Sequence, residues 1–162
     1  MIRFIEAHTI DAEIIHLLAH RIYYPTYTDI LSVEQMDFML EKSYSVEALK
    51  NTISVEQDFY IVYNENTPIG FIAFKQKTTE VLRIEKLYLL PSLQGKGVGK
   101  LCIDFAYKIA NSLACSKLEL NVNRGNKAYH FYLKMGFEVT EIVDIPYFGY
   151  ILDDYVMQKQ VV

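Results

Sequence analysis

The stretch that decides the fold is Gln94-Gly95-Lys96-Gly97-Val98-Gly99-Lys100, because it joins a predicted strand to a predicted helix. The segment before it, Val81 to Leu90, is rich in apolar residues and is stopped by Pro91. A glycine-rich turn at the start of a helix presents backbone N–H groups at the positive end of the helix dipole. The pattern therefore predicts a phosphate-binding site. The helix after the turn is predicted to bury Val98, Leu101, Cys102, Phe105, Ile109 and Leu113 on one face.

Two well-known phosphate-binding patterns do not fit this turn. The Walker pattern needs its first glycine where Gln94 stands, and Ser or Thr where Leu101 stands. The Rossmann pattern, begun at Gly95, needs its third glycine where Lys100 stands. A nucleotide triphosphate site and a dinucleotide site are both disfavoured.

A third pattern does fit: Gln/Arg-x-x-Gly-x-Gly/Ala, satisfied by Gln94, Gly97 and Gly99. It resembles the pyrophosphate-binding motif of the GNAT superfamily of N-acetyltransferases. The alternative is an ordinary surface turn that happens to precede a helix. Three glycines within five residues, between a strand and an amphipathic helix, favour the binding motif.

A second stretch, Asn126 to Phe137, resembles another GNAT signature, Asn-x-x-Ala-x-x-Phe-Tyr-x-x-x-Gly-Phe, with Ala128 one place from the commonest spacing. Leu87-Tyr88-Leu89-Leu90-Pro91 is similar to the family's coenzyme-binding strand. The matching part covers about residues 81–137, and the chain is identified as a member of the superfamily. Glu85, the region from Tyr27 to Tyr44 and the length look most like the bacterial spermidine or polyamine acetyltransferases.

The order of elements predicts a single α/β (α+β) domain over residues 1–162. A strand at Ile2–Glu6 precedes a helix that starts near Asp11, with Thr9 as a candidate cap. Pro25 is predicted to end that helix or to lie just past its end. Ser32 and Ser45 are predicted to cap two further helices. The remaining strands are predicted at 59–63, 69–74, 81–90, 117–122, 139–143 and 150–157. The remaining helices are predicted at 98–113 and 126–135. The resemblance implies a GNAT-like fold, with a mixed, mostly antiparallel sheet flanked by helices on both faces.

Composition narrows the class of protein. Of 162 residues, 51% are hydrophobic and 22% are charged, as in a soluble globular protein, and no apolar run approaches the length of a membrane span. The start shows no export signal, so we expect a cytoplasmic protein without a membrane partner. A net charge of −4 argues against a nucleic-acid partner. His16 and His20 stand four apart without a third ligand, so no metal is expected.

The resemblance also implies which residues bind acetyl-CoA, the expected cosubstrate. The coenzyme pyrophosphate would be held by backbone N–H groups of the turn and by the side chains of Gln94 and Lys100. The backbone of Leu87, Tyr88 and Leu89 would pair with the pantetheine amides. Asn126 would hydrogen-bond the pantetheine arm, and Tyr132 would lie beside the thioester sulfur. The implied turn residues are Gln94, Gly95, Lys96, Gly97, Val98, Gly99 and Lys100.

Glu85 is the candidate general base. An alkyl amine has a pKa near ~10.4, so a base must remove a proton before the amine can attack. Glu85 shares a strand face with Leu87 and Leu89, and in some polyamine-type members of the family this position holds the base. The alternative is a partly solvated carboxylate paired with Arg83 or Lys86.

Tyr132 is the candidate general acid. Its phenol, with a pKa near ~10, can protonate the departing thiolate. The alternative is a core aromatic residue, a role that fits the neighbouring Phe131 better. Cys102 is expected to be a small core residue, since direct transfer in a ternary complex needs no cysteine nucleophile.

The function predicted is transfer of the acetyl group of acetyl-CoA to a primary amine of a small molecule, with a polyamine favoured, in the EC 2.3.1 class. Two alternatives stay open: a protein or peptide amine as acceptor, and a non-catalytic acyl-CoA-binding module. A homodimer is a further expectation, since members of the superfamily are often dimers. Acidic residues on the second helix are predicted to form a solvated face or to attract a cationic acceptor: Glu34, Asp37 and Glu41, with Asp29. Three tyrosines are candidates to line the acceptor side: Tyr24, Tyr27 and Tyr44.

Overall fold

Helices and strands alternate along the chain in the computed structural model, which describes residues 1–161. The helices are α1 (Ala12–Tyr27), α2 (Val33–Tyr44), α3 (Val46–Thr52), α4 (Val98–Ser112) and α5 (Ala128–Lys134). The strands are β1 (Ile2–Glu6), β2 (Asp58–Asn64), β3 (Thr67–Gln76), β4 (Val81–Leu89), β5 (Lys117–Asn123), β6 (Glu138–Tyr147) and β7 (Tyr150–Gln160). Their order in the sheet is β1-β2-β3-β4-β5-β7-β6. The sheet is mostly antiparallel and flanked by helices, which confirms the predicted fold class.

The described residues form two compact units. The first comprises Met1–Lys75 and Glu85–Phe105, and the second comprises Gln76–Ile84 and the residues from Ala106 onward. The single domain expected over residues 1–162 stays a prediction, and its last residue, Val162, lies outside the described residues.

Three antiparallel strands and three helices make up most of the first unit. β1 pairs with β2, and β2 pairs with β3. The start of α4 packs on this sheet through Phe105, whose ring stacks on Phe4 at 4.3 Å and meets Tyr60 edge-on at 4.9 Å. Such aromatic pairs add to the free energy gained by burying their area.

In the second unit, β4 starts parallel to β5, and β5 is antiparallel to β7. The carboxylate of Glu119 on β5 is 2% exposed and accepts hydrogen bonds from Arg83 (2.5 Å), Lys77 (3.1 Å) and Gln158 (2.8 Å). A buried charge is tolerated when donors surround it in this way. These contacts tie three strands of the unit together.

The predicted end of the first helix was wrong. Pro25 lies inside α1, which continues to Tyr27. The proline lacks an N–H group and so removes one hydrogen-bond donor from the last turn of the helix. The helical hydrogen bonds continue after it, since Thr28 N–H donates to the Tyr24 carbonyl at 2.9 Å. The Thr26 hydroxyl also donates to the Ile22 carbonyl, at 2.7 Å. The predicted cap, Thr9, instead begins a 3-10 turn, and Asp11 is the N-cap.

The predicted apolar face of α4 was partly wrong. Val98 and Cys102 are buried as predicted, but Leu101 and Leu113 are exposed. Ile103, Ala106 and Ala110 are buried in their place. The buried face is therefore turned toward Ile103 relative to the prediction. It also includes two small residues, Ala106 and Ala110, which a search for large apolar residues at helical spacing misses.

The capping predictions for Ser32 and Ser45 were confirmed. The Ser32 hydroxyl accepts from Gln35 N–H at 3.1 Å, and that of Ser45 accepts from Ala48 N–H at 3.2 Å. Gly136 follows the signature helix with φ of 93°, a left-handed conformation that suits glycine at a helix end, and the next residue, Phe137, is buried.

Candidate functional site

The turn between β4 and α4 has the backbone that a phosphate site needs. Gly95 and Gly97 have φ of 78° and 81°, a region that favours glycine. A Cβ atom placed on either residue would meet nothing within 4 Å, so it is the backbone conformation that requires glycine there. Gln94 and Lys96 lie beside them, and both are exposed. The open space and the flanking polar side chains fit a bulky, charged ligand such as a diphosphate.

Helix α4 starts at this turn. Its first hydrogen bond runs from Leu101 N–H to the Gly97 carbonyl, at 3.3 Å. The N–H groups of Val98, Gly99 and Lys100 therefore precede the regular helical bonds and are the donors of the helix N-terminus. The Lys100 ammonium group lies 3.2 Å from the Asp104 carboxylate on the helix surface. Lys100 thus shares its charge with Asp104 at an exposed site, where such a pair is weak.

The strand before the turn directs one large side chain into the first unit. The Tyr88 hydroxyl is 2.9 Å from that of Tyr27, and its ring lies 5.6 Å from the Phe71 ring and 6.3 Å from that of Tyr44. Burial raises the pKa of Tyr88 well above its ordinary value. Because the side chain is committed to this aromatic cluster, the backbone is the part of Tyr88 that suits a ligand.

Lys86 is a buried amine that the sequence suggested only as a partner for Glu85. Its ammonium group contacts Gln57 Oε1 at 2.6 Å and lies over the rings of Phe59 (5.3 Å) and Tyr44 (6.0 Å). Burial lowers its pKa to about 8, and the charge of Glu85 acts in the opposite direction. No pattern in the sequence marks Lys86, because its partners come from two segments that are distant from it in the chain.

Glu85 is half-buried on β4, at the first residue that this strand gives to the first unit. Arg83, one of its predicted alternative partners, donates to Glu119 and Asn121. The base candidate, strand residues 87–89 and the glycine turn thus all belong to the first unit.

Asn126 and Tyr132 belong to the second unit, around α5. The Asn126 side-chain oxygen accepts from Ala128 N–H at 2.9 Å, so the helix starts two residues later than predicted. Tyr132 is only 7% exposed and lies edge-on to Phe131 (5.4 Å) and Phe137 (5.7 Å). The expectation that Phe131 fits the core role better was wrong, since Phe131 is half-buried and Tyr132 is the buried ring.

The predicted acceptor-side residues lie on α1 and α2. The Tyr24 hydroxyl donates to the Asp37 carboxylate at 2.5 Å, and this hydrogen bond raises the pKa of Tyr24. Glu34 and Glu41 are exposed on the same helix as Asp37. Tyr27 packs on Tyr23 at 4.6 Å, within the cluster around Tyr88.

A metal site and a cysteine nucleophile have weaker support than the coenzyme site. Nδ1 of His16 donates to the Tyr44 carbonyl at 2.6 Å, and Nδ1 of His20 donates to the His16 carbonyl at 2.9 Å. Burial raises the pKa of the Cys102 thiol to about 12, which disfavours the nucleophilic thiolate. Within residues 1–161, no group of three or more His, Cys, Asp or Glu side chains is placed to hold a metal ion. No helix in that range is long and apolar enough to cross a membrane.

Comparison with known proteins gives a consistent result. The model of the acetyltransferase (GNAT) family matches residues 19–137. A spermidine N(1)-acetyltransferase of Thermoplasma acidophilum is 30% identical over 158 residues, covering 93% of this chain and 91% of that protein. The peptidyl-lysine N-acetyltransferase YjaB of Salmonella typhimurium is 29% identical over 113 residues, covering 67% and 71% respectively. The crystal structure of the PaiA N-acetyltransferase of Thermoplasma acidophilum in complex with coenzyme A has a TM-score of 0.86, with 28% identity and 99% of both chains covered.

Proposed function

The chain belongs to the acetyltransferase (GNAT) family and is an acetyl-CoA-dependent N-acetyltransferase, and on that premise we propose that its acceptor is a primary amine of a small, polyamine-like molecule. One observation carries the choice of acceptor: the similarity to a spermidine acetyltransferase extends over 93% of the chain. It therefore includes the N-terminal helices, where acceptor-side residues are expected.

A protein lysine is the second candidate acceptor, because the YjaB relatives act on peptidyl-lysine. Their similarity covers 67% and 59% of this chain, so it supports that acceptor less completely. A polyamine carries further ammonium groups beyond the one that reacts. The carboxylates of Glu34, Asp37 and Glu41 on the exposed side of α2 suit those extra charges.

In this proposal the turn from Gln94 to Lys100 holds the pyrophosphate of the coenzyme. It does so through its backbone N–H groups and the side chains of Gln94 and Lys100. Residues 87–89 pair with the pantetheine amides, and Asn126 donates to the same arm from its side-chain amide group. Three observations support this: the open turn has positive φ angles, α4 starts at that turn, and the Asn126 oxygen already accepts from Ala128 N–H, which leaves its amide group for the ligand.

Glu85 takes the proton from the acceptor ammonium group, directly or through a water molecule. The neutral amine then attacks the thioester carbonyl, and backbone N–H groups stabilise the oxyanion that forms. Collapse breaks the carbon–sulfur bond, and the Tyr132 phenol protonates the departing thiolate. As the products, an acetylated amine and CoA, form, the nitrogen loses its second proton to solvent. Glu85 also releases its proton to solvent and Tyr132 takes one back, so one proton is released in each turnover.

An assay of thiol release with a panel of acceptors tests the proposal. Acetyl-CoA is offered with spermidine, spermine, putrescine, a lysine-containing peptide and a peptide with a free N-terminus. The proposal expects the highest kcat/KM with a polyamine. Faster release with either peptide than with every polyamine would reject the polyamine acceptor, and release independent of any acceptor would reject the small-molecule function.

A further inference from the structure

Gly70 lies inside β3, at a place where β4 approaches so closely that no side chain fits. A Cβ atom built on Gly70 would lie 2.3 Å from the Tyr88 carbonyl oxygen and 2.8 Å from Leu89 Cδ2. Real Cβ contacts essentially never fall below 3.0 Å, so the backbone at Tyr88 would have to move by at least about 0.7 Å. The nearest atom belongs to the backbone and cannot turn aside. Glycine within a strand commonly marks such a close approach.

A β-bulge accompanies Gly70. Val62 on β2 faces Gly70, whereas the next residue, Tyr63, faces Pro68, so Ile69 is an extra residue on β3. The Ile69 carbonyl accepts a hydrogen bond from Leu90 N–H at 2.9 Å. Bulges redirect a strand locally and are frequent beside active sites. The bulge and the missing side chain together hold the end of β4 against β3.

The segment held in this way leads straight into the glycine turn. β4 ends at Leu89, a 3-10 turn follows at Pro91–Leu93, and Gln94 comes next. Any displacement at Leu89 therefore moves both the strand and the turn that the proposed function assigns to the coenzyme. We propose that Gly70 is a positioning residue for coenzyme binding, which acts by letting β4 lie where its end and the turn can hold acetyl-CoA. This inference rests on the coenzyme site of the proposed function.

The test compares Gly70→Ala with the wild type by calorimetric titration of CoA and by steady-state kinetics. The variant is expected to bind CoA at least about tenfold more weakly, because misplacing a binding group by nearly 1 Å has effects of this size or larger. The KM for acetyl-CoA should rise in parallel, while the KM for the amine changes less than about twofold. Ile72→Val is the matched control, because Ile72 is fully buried on the same strand and its shortening adds no atom against β4. The control should melt earlier than the wild type and keep the wild-type affinity for CoA.

A folded Gly70→Ala protein with wild-type affinity for CoA would overturn the inference. A wild-type protein without affinity for CoA would overturn the proposed function instead, so the two failures are distinguishable. A second measurement needs no variant and applies even if Gly70→Ala does not fold. Saturating CoA should slow hydrogen exchange at the Leu90 amide at least about tenfold, because binding opposes local opening at the Ile69 contact. Unchanged exchange there would also overturn the inference.

Discussion

At Tyr132, a single substitution can remove the proposed catalytic group and keep the packing of the ring. Its ring packs on Phe131 and Phe137, so phenylalanine at this position keeps the shape and loses only the hydroxyl. We predict that Tyr132→Phe lowers kcat about 100-fold, within the range usual for a general acid, and changes the Kd of CoA less than about threefold. Tyr129→Phe, the same change three residues away on α5, should leave kcat near the wild-type value. Equal turnover in the wild type and Tyr132→Phe would remove Tyr132 from the mechanism.

Glu85 has a matched control in Glu56, because both carboxylates raise the pKa of the same lysine, Lys86. Glu85→Gln should lower kcat/KM for the amine about 100-fold and remove the limb of its pH profile that reports the base. Glu56→Gln alters the surroundings of Lys86 in a similar way and should keep the wild-type profile. If the two variants have the same pH profile, Glu85 is not the base.

Lys86 makes stability depend on pH. Its pKa is about 8 in the folded chain and 10.5 when exposed, so the unfolded chain binds more protons between these values and stability rises with pH. Lys86→Met removes this titration. We predict that the free energy of unfolding of the wild type, relative to that of Lys86→Met, increases by about 2 kcal/mol from pH 7 to pH 9.5. Urea denaturation at several pH values measures it, and a constant difference would contradict the burial of a titrating amine.

At the scale of single elements, the glycine turn offers a controlled comparison. Gly97 and Gly149 both have φ above 80°, and a Cβ atom on either would meet nothing within 4 Å, but they lie in different turns. Alanine at either site should cost about 1 kcal/mol of stability from left-handed strain. Only Gly97→Ala should also weaken CoA binding, by about tenfold or more, since the N–H groups around Gly97 are assigned to the pyrophosphate. Equal CoA affinity in the two variants would contradict the assignment of the turn.

Sequence patterns predicted the boundaries of helices best where a capping residue marks the boundary. Ser32 and Ser45 started their helices as predicted, because capping depends on neighbours in the chain. The end of α1 was mispredicted, because a proline in a last turn can be accommodated once nearby groups compensate. The buried face of α4 was partly mispredicted, because Ala106 and Ala110 are small and carry little hydrophobic signal. Without them, Ile103 does not fall on the predicted line of apolar residues.

At the scale of the whole molecule, the family and the fold class followed from two motifs in the expected order along the chain. The features that the sequence did not predict arise from contacts between distant segments. No local pattern indicates the hydrogen bonds that enclose Glu119 or the rings and amide around Lys86. The close approach of Tyr88 to Gly70 is of the same kind, because it depends on strand register and a bulge. Motifs do not determine the acceptor for the same reason, since its recognition depends on how helices place their side chains.

The most direct test of the coenzyme site is a calorimetric comparison of CoA with acetyl-pantetheine, which has the arm and the acetyl group but lacks the diphosphate together with the nucleotide attached to it. If the turn at Gln94–Lys100 binds the diphosphate, CoA should bind to the wild type at least about 100-fold more tightly than acetyl-pantetheine. This ratio corresponds to a difference of about 2.7 kcal/mol in binding free energy. Similar affinities for the two ligands, or no measurable affinity for CoA, would contradict it.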